Sequence, residues 1–394
     1  MPSDTPVNKR VKRHVIGREH IFFAATPPAL AHLCEIELKS LLGPDHQLQK
    51  QPGGIEFSGR LTDAYRINLL TRYSNRILMH LTSFKATNFR RLEQKLAAIA
   101  WELYLFRDSP LKVQVSTHKC RLYHTQAVLE IVRKQVGSHL DRFGLPAAAN
   151  QKFDQNQRLF IRGIKDTFTV AIDSSGDHLY KRGLKTHGGR APLRENLAAA
   201  VLELAGYDSR KPLVDPMCGS GTFSLEAALK AAAIPPGWFR NYAFMQWPSF
   251  IHRRWQYLID QHKTDRGTWT GHLILAADTD STACENLRQC IQANDLSGLI
   301  QVAEQDFFKL QPSQWTDQKG LVVLNPPYGR RLEKELMKKS LAPIMDRLQT
   351  AYSGWRLALI APREQLASIK AIPLMTYPLI HGGLRVAVGV GKIP

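Results

Sequence analysis

From Ile21 the chain alternates short apolar runs with amphipathic stretches, and the two periods separate strands from helices. Residues 21–25 (IFFAA) read as a strand and Pro27-Pro28 as a turn, while Leu30, Leu33, Ile36, Leu38 and Leu41 recur at about helical spacing. Gly53-Gly54 opens a second strand, GIEFSG, and a helix follows over about 61–70. Strand, helix, strand, helix in so short a span predicts a small α+β unit. Between 77 and about 173 the pattern gives strands at RILMHLTSF, LKVQVST (111–117), RLFIRGI and TFTVAID, with helices over 91–103 and 125–140. Residues 1–19 carry Lys9, Arg10, Lys12, Arg13 and Arg18 with little apolar content, which predicts a disordered basic tail. Residues 174–190, SSGDHLYKRGLKTHGGR, have no apolar period and predict a linker.

Beyond 190 the strands become fully apolar and alternate with helices. The helices fall over 194–205, 222–233, 281–293 and 332–348; the strands fall at LVD (213–215), LILAAD (273–278), 300–303, LVVL (321–324) and WRLALIA (355–361). Two final strands, about 374–380 and 384–390, meet at His381-Gly382-Gly383. This order predicts an α/β domain with a doubly wound, mostly parallel sheet ending in an antiparallel hairpin. The stretch 234–271 interrupts it and holds Trp238, Trp247, Trp255 and Trp269, four of the seven tryptophans, beside Arg240, Arg253 and Arg254. Such residues either stack on and pair with RNA or pack their rings inside the protein.

Composition narrows the class. At 394 residues and 44% hydrophobic content the chain can form two or three real cores. Net charge is +19 and uneven: residues 1–190 hold 30 basic and 16 acidic side chains, or +14, against 23 and 18, or +5, in the rest. A polyanionic partner for the first half follows, and nucleic acid is the common one. Arg90, Arg91, Lys119, Arg121, Arg133 and Lys134 cluster without alternating acids, as a phosphate-facing surface would. The five cysteines form no C-x-x-C pair and have no histidines at zinc spacing, so no metal is expected and the thiols read as reduced and cytoplasmic. No apolar run is long enough to span a membrane.

Two stretches carry the chemistry. LVDPMCGSGT (213–222) is a strand that runs through a glycine turn into a helix, with Asp215 emerging first and Gly219 and Gly221 permitting close approach. It lacks the lysine of a phosphate loop and the spacing of a dinucleotide fingerprint, and an acid at its mouth suits a cationic ligand. LVVLNPPYG (321–329) is a second strand with chemistry at its end: Asn325, two prolines that withdraw backbone donors, and Tyr328 as a flat ring. An amide oxygen and an adjacent carbonyl offer two acceptors to one exocyclic amine while the ring stacks on the base. Asp278 ends a strand where an acid can accept both ribose hydroxyls, with Asp280 as the competing choice. Asp306 is either a further polar contact or a helix N-cap.

DPMCGSGT and NPPYG, preceded by RAPLRENLAAA (190–200), resemble the S-adenosylmethionine-dependent guanine-N2 RNA methyltransferases that carry a THUMP domain, especially those acting on bacterial 23S rRNA. The resemblance runs from about residue 21 to the C-terminus. It implies a Rossmann-like class I methyltransferase domain over 191–394, preceded by a ferredoxin-like domain (20–75), a THUMP RNA-binding domain (76–173) and the linker (174–190). Asn325, Pro326, Pro327 and Tyr328 would be catalytic, and Asp215, Pro216, Cys218, Gly219, Gly221, Thr222, Asp278 and Thr279 would bind the cofactor. Asp306 would accept the adenine amine with Phe307 beside the ring, and Leu193 and Asn196 would lie over the methionine end. Position 185 is Lys where relatives tend to have Arg, which leaves its role open. One methyltransferase domain implies one reaction, on 23S rRNA or a large-subunit precursor. The alternatives are an adenine-N6 methyltransferase, since NPPY serves there too, and an RNA-binding protein with a vestigial cofactor fold.

Overall fold

The computed structural model describes residues 5–147, 156–185, 193–264, 274–326, 341–382 and 384–394. The chain divides into two compact units, Met1–Leu179 with Arg240–Gln261, and Tyr180–Phe239 with His262–Pro394.

The first unit begins with a helix, not a disordered tail. Thr5 caps α1 (Pro6–Val11) by accepting from the Asn8 N–H, and a single π-helical turn follows over Lys12–Ile16. Val11 and Val15, one helical turn apart, are buried, and Arg10 pairs with Glu102. Next come β1 (His20–Ala25), α2 (Ala31–Leu42), β2 (Leu48–Gln51), β3 (Gly54–Gly59), α3 (Leu61–Leu70), β4 (Arg76–Lys85), α4 (Phe89–Ala97), β5 (Leu111–His118), α5 (Thr125–Phe143), β6 (Gln157–Ile164) and β7 (Thr167–Asp173). All seven strands form one sheet in the order β2-β3-β1-β4-β7-β6-β5. β4 is the seam, antiparallel to β1 on one side and to β7 on the other, so the two expected N-terminal modules share a sheet. The buried stripe of α2 is Cys34, Leu38 and Leu42, whereas Ile36, expected inside, is 53% exposed.

The presumed linker is partly built in: Ser174, Ser175 and Arg182 are buried, while residues 186–190 lie outside the described residues. The second unit continues with α6 (Glu195–Leu204), β8 (Leu213–Asp215) and α7 (Thr222–Ala231). The chain then returns to the first unit for Arg240–Gln261, including most of α8 (His252–Thr264). There the Tyr65 ring of α3 stacks on Phe244 at 4.4 Å, and Tyr242, Phe250 and Trp255 close around them. Trp247 is buried and donates to Gln157 Oε1, so these rings of the insertion pack inward; Trp269 lies outside the described residues.

The second unit resumes with β9 (Ile274–Asp278), α9 (Ser281–Ala293), β10 (Ile300–Glu304), β11 (Leu321–Leu324), α10 (Ala342–Ala351), β12 (Arg356–Pro362), α11 (Arg363–Ala367), β13 (Leu374–His381) and β14 (Leu384–Lys392). Of the helix expected over 332–348, the part before 341 lies outside the described residues. The sheet order is β10-β9-β8-β11-β12-β14-β13, parallel except for β14, as the apolar pattern requires. Strand order reverses between β8 and β11, which opens a crevice at the carboxyl ends of those strands.

Candidate active site at the carboxyl edge of the second sheet

Strand register gathers the candidate polar residues along one edge. Val214 of β8 pairs with Val322 of β11, Asp215 with Ala276 of β9, and Asp278 with Glu304 of β10. Asp215, Asn325, Asp278 and Asp306 therefore leave four parallel strands on the same side.

Asp215 is 1% exposed. Its Oδ2 accepts from Ser224 Oγ at 3.0 Å, and its Oδ1 has no partner among the described residues. Burial pushes this carboxyl up to about 7, against the opposing hydrogen bonds from Ser224. The turn after it needs its glycines for two reasons. Gly219 has φ +50° with nothing within 4 Å of a notional Cβ, so its surroundings are open; Gly221 has φ +68° and a Cβ there would stand 2.4 Å from Leu287 of α9. The Cys218 N–H donates to the Ala277 carbonyl at 2.9 Å, and the Gly219 N–H donates to Asp278 Oδ2 at 2.7 Å. Asp278 Oδ1 accepts from the Asp280 N–H at 3.0 Å, while the Asp280 side chain caps α9 through the Ala283 N–H. Each Asp278 oxygen keeps a free lone pair, so the strand-end acid faces the turn and its neighbour serves the helix.

Two residues absent from the expected set support this turn. Lys185 Nζ donates to Thr222 Oγ1 at 2.7 Å and Ser220 Oγ at 3.2 Å, with Glu195 Oε1 at 3.6 Å. Ser224 holds Asp215 from the first turn of α7. The only sequence signal for either was a basic residue in the glycine-rich segment and a hydroxyl one helical turn past the glycines.

Other expected residues divide. Pro216, Cys218, Thr222, Leu193 and Asn196 are buried around the turn and α6, and burial raises the Cys218 thiol well above its ordinary range. Thr279 is exposed. Asp306 Oδ1 accepts from the Phe308 N–H, and its carbonyl accepts from Lys309 and Leu310, so it stabilises a turn. Phe307 is 2% exposed and stacks on Tyr352, and the exposed ring beside Asp306 is Phe308. Asn325 is half-buried at the end of β11, with its Oδ1 unpartnered among the described residues, and Pro326 is buried next to it. Pro327 and Tyr328 lie outside the described residues. No cluster of metal-binding side chains occurs among the described residues.

This architecture matches known proteins. The model of an RMKL-like methyltransferase domain fits residues 182–372, and that of an RlmL ferredoxin-like domain fits 21–78. The Synechocystis sp. protein slr0064, named as a candidate RNA methyltransferase, is 30% identical over 370 residues that cover 92% of this chain and 94% of its own. The chain belongs to the RMKL-like methyltransferases. A ribosomal RNA large subunit methyltransferase K/L of Methylococcus capsulatus is 33% identical over 377 residues, 92% of this chain and 50% of that protein. This family member thus spans about half the length of that relative. The fold also superimposes on a crystal structure of SMU.472, a candidate methyltransferase complexed with SAH, with a TM-score of 0.80, 24% identity, and coverage of 95% and 98% of the two chains.

The residues present fit S-adenosylmethionine, the cofactor that the sequence motifs imply. A buried carboxylate oxygen without a partner suits a cationic group, spare lone pairs on Asp278 suit hydroxyl donors, and the open space at Gly219 admits a ligand against the backbone.

Proposed function

We propose that the protein methylates the exocyclic N2 amine of a guanine in 23S rRNA, or in a precursor of the large ribosomal subunit. The observation that carries this reading is Asn325 Oδ1, a buried acceptor at the strand end beside Asp215 that no described residue satisfies. Support for RNA comes from the names of the K/L relatives and from the +14 charge of the first 190 residues.

In this reading Asp278 holds the ribose hydroxyls of the cofactor, Asp215 and the Gly219 turn hold its methionine end, and Lys185 steadies the turn. When bound, the cofactor supplies a methyl group on a positively charged sulfur. The guanine amine is a poor nucleophile because its lone pair is delocalised into the ring. Asn325 Oδ1 and the Pro326 carbonyl accept hydrogen bonds from its two N–H groups, which fixes the nitrogen with its lone pair turned toward the methyl. Alignment and fixed dipoles therefore supply most of the acceleration. The nitrogen gains the methyl as the carbon–sulfur bond breaks with its electron pair left on sulfur, and it releases one proton to water. Tyr328 is assigned the stacking role, and the base must be unpaired or flipped to arrive.

The test is nucleoside mass spectrometry of large-subunit rRNA from cells with and without the gene. The expected result is loss of one N2-methylguanosine, restored by the wild-type gene and not by Asn325→Ala. Loss of N6-methyladenosine instead, or no change, overturns the assignment.

A further inference from the structure

The return of the chain to the first unit builds a cleft that the methyl-transfer site does not use. It lies between α3 and α8, has a volume of about 430 Å³, and is lined by Asp63, Tyr65, Arg66, Arg253, Arg254 and Tyr257 among others. Its floor is rigid. Tyr65 is buried against Phe244, Phe250 and Trp255, and burial pushes its hydroxyl up to about 12. Its rim is basic and aromatic. Arg66, Arg253 and Arg254 are exposed and form no ion pair with a described residue, and the Tyr257 ring is 67% exposed. The one acid in the lining, Asp63, accepts from the N–H of the N-cap residue Arg60 at the start of α3 and has His46 at 3.9 Å.

We infer that this cleft binds a single-stranded segment of the RNA substrate, its phosphates taken by Arg66, Arg253 and Arg254 and one base stacked on Tyr257. The inference rests on the reading above that the substrate is RNA, and not on which base is methylated. Guanidinium groups in excess over acids recognise phosphate oxygens. An exposed ring beside them offers a face that any base can stack on, and this combination of a basic groove and an aromatic platform is the usual design for single strands. An exposed tyrosine surrounded by unpaired arginines adds nothing to the core, because Tyr65 and Trp255 already close it.

The experiment uses the full chain and a fluorescent oligouridylate across a salt series, with heparin as a polyanion that cannot stack. Arg253→Glu with Arg254→Glu should weaken oligouridylate binding by about tenfold or more and flatten its salt dependence. Tyr257→Ala should weaken it by about five- to fiftyfold with an unchanged salt slope, and should leave heparin affinity unaltered. The thermal midpoint and the affinity for S-adenosylmethionine should not move in either variant, which excludes unfolding. Wild-type oligouridylate affinity in both variants overturns the proposal and leaves the cleft to an acidic protein segment. Because binding is read without catalysis, its failure is distinct from a failure of the guanine assignment, which the nucleoside analysis reports.

Discussion

Each unit contains a buried polar cluster, and the two are satisfied differently. In the first, Arg76 is ion-paired with Asp173 and also donates to the Gly176 carbonyl. Ser175 N–H donates to Asp173 Oδ1 and Ser175 Oγ to Asn68 Oδ1, while Asn68 Nδ2 donates to Ser174 Oγ and Ser174 Oγ to the Ile77 carbonyl. These contacts tie α3, β4 and β7 together. In the second unit, Asp215 Oδ1 and Asn325 Oδ1 are buried without partners among the described residues. Unmet acceptors in a core cost roughly 1–3 kcal/mol each, so a fold tolerates them where a ligand completes them. The difference lies in the partners: the first cluster is closed by the protein's own groups, whereas the second keeps two acceptors open where parallel strands end together.

Removing a member of the satisfied cluster should damage the fold and spare the chemistry. Arg76→Ala should cost about 3–5 kcal/mol in denaturant unfolding of the first unit, because it strands the Asp173 carboxyl in the core. Cofactor affinity should be unaltered; a loss below about 1 kcal/mol would place this pair among ordinary surface contacts.

The reverse pattern is expected at the unsatisfied cluster. Asn325→Ala should lower kcat by about 100- to 1000-fold with no loss of thermal stability, and calorimetry should still show S-adenosylmethionine binding. A variant that loses the cofactor while remaining folded would move Asn325 from the acceptor to the cofactor side of the site.

Asp278 and Asp280 sharpen the comparison within two residues. Asp278→Ala should weaken cofactor binding by about 1.5–3 kcal/mol. Asp280→Ala should instead reduce stability by about 1 kcal/mol through loss of the α9 cap, with affinity retained. Calorimetry giving the larger affinity loss for Asp280 would reverse the assignment.

The last effect is a pH slope. Folded Asp215 keeps its proton up to about pH 7, whereas an unfolded aspartate loses it near pH 4. The folded state thus binds the extra proton in that window, so the contribution to stability is complete below about pH 4 and is lost as pH rises through about 7. The slope is at most about 1.4 kcal/mol per pH unit. Asp215→Asn should flatten it in the cofactor-free protein; an unchanged profile in thermal melts from pH 4 to 8 would mean that water or solvent exposure relieves the carboxylate.

The second unit was largely legible in the sequence, because its signals are local. Fully apolar runs separated by amphipathic helices fixed the parallel strands, Asp-Pro-x-x-Gly and Asn-Pro-Pro marked where two of them end, and the glycine hairpin placed the one antiparallel strand. The sequence of strand ends alone was enough to nominate Asp215, Asp278 and Asn325. What tertiary structure decided were the matters that depend on partners distant in the chain. Period alone cannot say which face finds cover, so Ile36 was expected inside while Cys34 took its place. The helix at Pro6–Val11 is held by Val11 and Val15 burial and an Arg10–Glu102 pair that no local window contains. Residues 240–261 read as an insertion of the second unit, yet they complete the first, because Phe244 and Trp255 pack their rings on Tyr65 and the Tyr242 hydroxyl donates to the Asn68 carbonyl, partners more than 170 positions earlier. Local chemistry sets where elements begin and end; burial, which needs the whole chain, sets what each element faces.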